Sequence, residues 1–127
     1  MSVDELILKT ARATVAEMKR QGLTKENKLG SFKKTERVLY EFPEWLNSEN
    51  EETQKMCMLI NRALEKIGDD PYFEIIDLKY FKGWTHERIA ERFDVDVSVI
   101  SKRRTKLINR LRPIIFSEDF IKELFDL

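Results

Sequence analysis

The chain has 127 residues, of which 42% are hydrophobic and 36% charged, and its 23 basic and 23 acidic side chains give a formal net charge of zero. The length suits one compact domain or two very small ones, and only 4 glycines and 3 prolines favour helices with short connections, so we expect an all-α fold. The single cysteine excludes an internal disulfide, and no leader pattern or long apolar run occurs, so we expect a cytoplasmic protein that does not cross a membrane.

The N-terminal residues predict one helix followed by a linker. Apolar side chains recur at helical spacing over 3–21, and Gly22 ends the pattern. The apolar stripe is short for a coiled coil, but a homodimer seam is one interpretation of it. The polar and basic stretch 24–34 predicts a linker or exposed loop, so we assign 1–34 to an N-terminal helix and basic linker.

The middle of the chain predicts three further helices. A short helix over 35–42 is expected to end or kink at Pro43, because a residue before proline disfavours the helical conformation. A second helix, over 51–67, carries one apolar face. A third, over about 71–82, is expected to end at Gly83.

Two capped helices with a three-residue turn follow. Thr85 is placed to cap a helix over 85–93, and Asp96 is placed to cap a helix over 97–111 that ends before Pro113. The segment 35–113 is therefore expected to form a helical core that includes this helix pair.

The residues inside this pair fit a helix-turn-helix. Ala90 is small enough for a close helix crossing, while Val95 and Ile100 supply a shared apolar core. Asp94 occupies the turn where glycine is commonest, but aspartate tolerates the left-handed conformation better than most residues.

Charge is segregated along the chain. Residues 36–78 hold 11 acidic and 4 basic side chains, whereas 97–113 hold 6 basic side chains and no acid. A local positive potential attracts a polyanion, and the second helix of such a pair enters the major groove of DNA. A basic helix alone is equally well explained as a face in contact with solvent. The helix caps, the small residue and the turn are the additional features that favour binding to double-stranded DNA. The candidate DNA-contacting residues are Thr85, His86, Val97, Ser98, Ser101, Lys102, Arg103, Lys106 and Arg110.

Two segments carry a resemblance to known families. The run "YFKGWTHERIAERFDVDVSVISKRRTKLINRL" resembles the promoter-reading C-terminal domain of bacterial sigma factors. The block "KKTERVLYEFPEWL" resembles a segment of the ArpU and RinA group of phage and prophage late transcription regulators. The resemblance covers roughly 33–112 and implies a small helical regulator that activates late phage genes, without the region by which sigma factors melt promoters. It places the recognition surface on Val97, Ser98, Ser101, Lys102 and Arg103.

Two other functions remain open from the sequence. A small terminase-like DNA-packaging protein also uses a helix-turn-helix but assembles as a ring. A pure protein-interaction module that captures another regulator would show no steep salt dependence toward any DNA.

The C-terminal tail "FSEDFIKELFDL" predicts an amphipathic helix within 114–127. Its apolar stripe is expected to fold back on the protein's own core, or to dock on RNA polymerase or a second subunit. The candidate partner-binding residues are Phe116, Phe120 and Leu124.

No residue pattern indicates an enzyme. Cys57 and His86 are the single cysteine and histidine; the sequence pairs neither with a partner for nucleophilic catalysis, and together they are too few for a metal site. The glycines form no phosphate-binding loop. We therefore expect no catalytic residue, metal or cofactor, and we expect Cys57 to be a packed thiol.

Overall fold

The computed structural model describes residues 7–10, 12–13 and 28–117. Within these ranges the regular structure is helical throughout, so the described part of the chain is all-α, as its composition predicts. Residues 7–10 and 12–13 are helical, and the later elements are α1 (Lys28–Leu46), α2 (Glu51–Glu65), a π-helix (Ile76–Phe81), α3 (His86–Phe93) and α4 (Val97–Ile115).

One hydrophobic core joins these elements. Helix α4 packs against α1, α2 and α3, and α1 also packs against α2 and the π-helix. Burying one large apolar side chain stabilises a fold by about 1.5–3 kcal/mol, so the inner face of α4 is held along its length. The largest side chains that are fully buried are Leu39, Trp45, Met56, Ile67, Ile75, Ile76, Ile89, Ile100, Leu107, Ile108, Leu111 and Ile115.

Helix α1 includes part of the predicted linker. It begins at Lys28, so the prediction of a linker or loop over 24–34 is wrong from that residue onward. Ser31 and Thr35 are buried, and the Thr35 hydroxyl donates to the Ser31 carbonyl at 2.8 Å. Because this bond satisfies the threonine hydroxyl within the helix, a polar stretch can pack against the core.

Two prolines lie inside helices that were expected to end near them. Helix α1 continues through Pro43, and α4 continues through Pro113. Each proline removes one backbone hydrogen bond. The residues that follow offset this loss because Trp45 is 1% exposed and Ile115 is 2% exposed. The predicted end at 111 is therefore wrong, and of the two alternatives given for Pro43, an end or a kink, the end is wrong.

The predicted α-helix over 71–82 is wound differently. Residues 71–73 form turns, so the predicted start is wrong, and the second half of the predicted helix is the π-helix Ile76–Phe81. There the Lys82 N–H donates to the Asp77 carbonyl, five residues earlier, at 2.9 Å. Gly83 follows with a φ of +71°, a left-handed conformation that suits glycine. The expected end of the helix at Gly83 is thus confirmed.

The predicted caps around the α3–α4 turn are confirmed. The Thr85 hydroxyl accepts the Arg88 N–H at 3.2 Å, and Asp96 Oδ2 accepts the Ser98 N–H at 2.9 Å. Between the helices, Asp94 adopts the left-handed conformation with φ 54° and ψ 49°. The turn therefore closes with aspartate in the position where glycine is commonest.

The ends of the chain are described only in part. Ile7 and Leu8 pack against the core, while the rest of the helix predicted over 3–21 is described only at residues 9–10 and 12–13. Phe116 is half-buried and also packs against the core. The predicted C-terminal helix, with Phe120 and Leu124, lies outside the described residues.

Candidate nucleic-acid interface

The packing of α3 on α4 decides which side of α4 faces outward. Ile89 and Ala90 of α3 are buried, and so is Ile100 of α4, at 0% exposure. Across the turn, the Val95 N–H donates to the Ala90 carbonyl at 3.1 Å. These contacts fix one helix against the other, so the opposite side of α4 is a defined outer surface.

This outer surface runs along α4 from its first turn. Its members recur three and four residues apart, which places them on one side of a helix. We call this set the outer face; its exposed residues are Ser98, Lys102, Thr105, Lys106 and Asn109. Val97, a predicted contact, is 37% exposed and lies beside this face in the first turn. Ser101, another predicted contact, is half-buried at the edge of this surface.

The first turn of α4 is ordered by Asp96. The Ser98 hydroxyl donates to Asp96 Oδ2 at 2.6 Å, and the same oxygen accepts the Ser98 N–H. These bonds, the side-chain bond first, lower the pKa of the Asp96 carboxyl below its usual value of 3.8. An ionised carboxylate at a helix N-terminus also interacts favourably with the helix dipole. The Ser98 side chain is therefore held in one orientation.

The six cations of α4 do not share one face. Lys102 and Lys106 are exposed, and neither forms an ion pair within the described part of the chain. Arg103 is half-buried, with its guanidinium carbon 4.7 Å from the centre of the Tyr72 ring. The two lysines are thus available to an external polyanion, and Arg103 is held beside an aromatic ring.

Arg104 points into the molecule. Its Nη1 lies 2.7 Å from Glu36 Oε2, and the Tyr80 hydroxyl donates to the same oxygen at 2.5 Å. Burial first, and then the bond to Glu36, raise the pKa of Tyr80, which keeps its hydroxyl protonated. Arg104, which is not one of the predicted DNA contacts, therefore lies on the inner side of α4.

Arg110 is paired within the chain. Its Nη2 donates to Asp69 Oδ1 at 2.9 Å, and its Nη1 lies 3.7 Å from Asp70 Oδ2. The bond from Arg110 lowers the pKa of Asp69, so this carboxylate stays ionised. The structure thus directs Arg110, a predicted DNA contact, toward the segment after α2 rather than toward the outer face.

The start of α3 contains two more predicted contacts. The Thr85 hydroxyl is occupied as the helix cap. His86 is half-buried, and its Nε2 has no hydrogen-bond partner among the described residues. Burial first, and then Lys79 and Arg104, lower the pKa of His86 below 6.5, so the imidazole is neutral at about pH 7. A neutral, half-buried ring is poorly suited to a phosphate contact.

Three exposed residues were missed from the sequence. Arg88 on α3 holds its guanidinium carbon 3.7 Å above the ring of Trp84, which lies before the helix, so helical spacing in the sequence does not indicate this pair. Thr105 and Asn109 continue the outer face. Their spacing of three and four residues from Ser98 and Lys102 could have placed them on this face, but the prediction followed the basic residues instead.

Comparisons with protein-family models, curated proteins and solved structures give no match for this chain.

None of the described helices has the length and apolar content needed to cross a membrane, and the described residues contain no group of ligands suited to a metal ion. Cys57 is buried, which raises its pKa to about 11. The prediction of a packed thiol is confirmed, and the thiol is protonated at neutral pH.

Proposed function

We propose that the protein is a transcriptional regulator that binds duplex DNA in the major groove with the outer face of α4. The observation that carries the proposal is the exposure of Lys102 and Lys106 on this face while Arg104 and the apolar residues hold the opposite side inward. A helix is about 10–12 Å wide and the major groove is about 12 Å wide, so the outer face can approach base edges.

The available cations supply the electrostatic part of binding. Lys106, with Arg103 and Arg88 beside it, gives up to three phosphate contacts, while Lys102 lies where it can reach base edges. Each contact releases condensed counterions, so the logarithm of the binding constant falls against the logarithm of salt concentration with a slope of roughly −0.9 per phosphate. We expect a total slope no steeper than about −2.7, which is modest for a DNA-binding protein.

The regulatory role rests on the resemblance over 33–112. Under this proposal the protein recognises sites in phage or prophage DNA and activates late genes, with RNA polymerase as a further partner. Each chain presents one recognition helix, so a homodimer would require two half-sites separated by about one turn of DNA.

A charge-reversal experiment tests the proposal. The test variant carries Lys102→Glu and Lys106→Glu. The control variant carries Lys55→Glu and Lys66→Glu, which change the net charge by the same amount at two exposed lysines, one in α2 and one directly after it. Fluorescence anisotropy with a random-sequence duplex pool, between about 50 and 200 mM salt, measures both. We expect the first variant to lose roughly 100-fold or more in affinity and the control to lose far less.

Other results would point elsewhere. Equal losses in the two variants would show that only net charge matters and would reject α4 as the DNA-binding element. Binding that is weak and independent of salt is the result expected of a protein-interaction module. A ring-sized assembly in light scattering would favour the DNA-packaging alternative over a monomeric or dimeric regulator.

A further inference from the structure

We infer that the outer face of α4 selects bases that carry an exocyclic amino group in the major groove, because the fold holds the hydroxyls of Ser98 and Thr105 as hydrogen-bond acceptors. This inference rests on the proposed DNA binding and deepens it. A free serine or threonine hydroxyl can donate or accept, so by itself it distinguishes bases poorly. The fold removes this ambiguity at two positions.

At Ser98 the proton is committed to Asp96. Ser98 Oγ lies 2.6 Å from Asp96 Oδ2, within the range of a charge-assisted bond between a hydroxyl and a carboxylate. An ionised carboxylate has no proton to give, so the serine must be the donor. Ser98 is exposed, and the remaining lone pairs of its oxygen are available to a ligand.

At Thr105 the proton is committed to the backbone. Thr105 Oγ1 donates to the Ser101 carbonyl at 3.0 Å, and a carbonyl oxygen can only accept. Thr105 is exposed as well, so its oxygen also presents lone pairs outward. Two hydroxyls on one face are therefore set as acceptors by two different neighbours.

The spacing places these acceptors around a donor. Ser98, Lys102 and Thr105 follow one another by four and three residues, so they lie on one side of α4. The axial separation of Ser98 and Thr105 is about 10 Å, or roughly three base-pair steps along DNA. The lysine ammonium between them has donors only. The outer face thus presents acceptor, donor and acceptor in order.

Base edges in the major groove match this order in a definite way. Adenine and cytosine present amino donors, whereas guanine and thymine present carbonyl acceptors at the corresponding positions. To donate to guanine or thymine, Ser98 would have to break its bond to the Asp96 carboxylate. Every base pair carries one such amino group, so an acceptor fixes which strand holds it. On the strand that faces α4 we therefore expect adenine or cytosine opposite Ser98 and Thr105, and guanine opposite Lys102.

Selection from a random duplex pool, followed by base-analogue substitution, tests the inference. The base preference that disappears in Ser98→Ala identifies the position facing Ser98. That base is then replaced by an analogue without the amino group, purine for adenine or 2-pyrimidinone for cytosine. One lost hydrogen bond corresponds to about 3- to 10-fold in affinity, so we expect this loss for the unaltered protein and no loss for Ser98→Ala. Thr105→Val keeps the side-chain shape but lacks the hydroxyl, so it is expected to show no loss of affinity when the base opposite residue 105 is replaced by its analogue.

Two controls separate the hydroxyl from other effects. Asn61→Ala removes an exposed polar side chain on α2 and is expected to leave every base preference unchanged. Asp96→Ala frees the Ser98 hydroxyl to donate, so the preference for amino-bearing bases opposite it should weaken. Asp94→Asn removes the same charge two residues away, keeps a residue that tolerates the left-handed conformation, and should retain the preference.

The outcomes distinguish this inference from the proposed function. If the unaltered protein binds no duplex, both fail. If it binds DNA but prefers guanine or thymine at the Ser98-dependent position, or ignores the analogue, the inference alone is overturned. Circular dichroism of Ser98→Ala should match the unaltered protein because the Ser98 backbone N–H still donates to Asp96.

Discussion

The two sides of α4 use their cations differently. Arg104 and Lys102 are two residues apart, yet Arg104 is largely buried against Glu36 and Tyr80 while Lys102 is exposed. A residue's position around the helix, and not the local density of charge, decides whether its cation is available to a partner. A chain of zero net charge can therefore contain two exposed cations on one side of a helix and a neutralised, largely buried cation on the other.

The residue types suit the two environments. The guanidinium of arginine is planar and weakly hydrated, which suits a buried ion pair, whereas the lysine ammonium is strongly hydrated and suits an exposed contact with phosphate. On α4 the cation paired with Glu36 is arginine, and the two exposed cations are lysines. This division can be tested by changing each side separately.

The largest effect is expected from the apolar part of the inner side. Leu107→Ala removes a side chain with 0% exposure and should lower the free energy of unfolding by about 3 kcal/mol, measured by urea denaturation. Thr105→Ala, on the outer face, should change it by no more than about 0.5 kcal/mol. Similar costs for the two variants would remove the distinction between the sides.

Next in size is the inner cation. Arg104→Met leaves Glu36 without its ion pair and should cost about 2 kcal/mol of unfolding free energy, less than a fully buried pair because both side chains retain some exposure. Lys102→Met should cost almost nothing. Adding Glu36→Gln to Arg104→Met should recover part of the loss, and a double-mutant cycle in urea measures that coupling.

The cap of α4 gives a smaller effect. Asp96→Ala removes the acceptor of the Ser98 N–H and should cost about 1 kcal/mol of unfolding free energy. Asp96→Asn keeps a good capping side chain and should stay within a few tenths of a kcal/mol of the unaltered protein. If thermal or urea denaturation shows that Asp96→Asn loses as much stability as Asp96→Ala, the charge of Asp96, and not its capping hydrogen bond, stabilises the fold.

The smallest effect concerns pH. Burial first, and then Lys79 and Arg104, lower the pKa of His86 in the folded state, so the unfolded chain takes up a proton first as pH falls below 6.5. The contribution of neutral His86 to the free energy of unfolding is therefore fully present above pH 6.5, and it is lost as pH falls through the lower pKa of the folded state. The urea midpoint of His86→Gln should decline less than that of the unaltered protein between about pH 7 and 5. Parallel declines would contradict this assignment.

Local features were the ones that the sequence could predict. Thr85, Asp94 and Asp96 act on residues at most four positions away, so their roles as cap, turn and cap follow from residue type and spacing. The all-α fold of the described part could also be predicted, because helical spacing of apolar residues is a local property of the sequence. The DNA-binding role of α4 stays a prediction.

Features that depend on distant residues could not be predicted. Glu36 and Arg104 are 68 positions apart, and Asp69 and Arg110 are 41 positions apart. The prediction counted six basic residues along the helix and placed Lys102, Arg103, Lys106 and Arg110 on DNA, whereas the fold leaves only Lys102 and Lys106 on the outer face. The expected helix ends near the two prolines failed for a related reason, because tertiary burial outweighed a local signal.

The contact between Arg104 and Glu36 also sets the rotational position of α4 about its own axis. Adjacent residues differ by roughly 100° around a helix, so a rotation of one residue would separate this pair and carry Lys102 away from the side it now occupies. Glu36 belongs to α1, and Tyr80 to the π-helix, so three elements share one carboxylate oxygen. Any event that displaces α1 would therefore change the angle at which the lysines of α4 meet whatever lies outside.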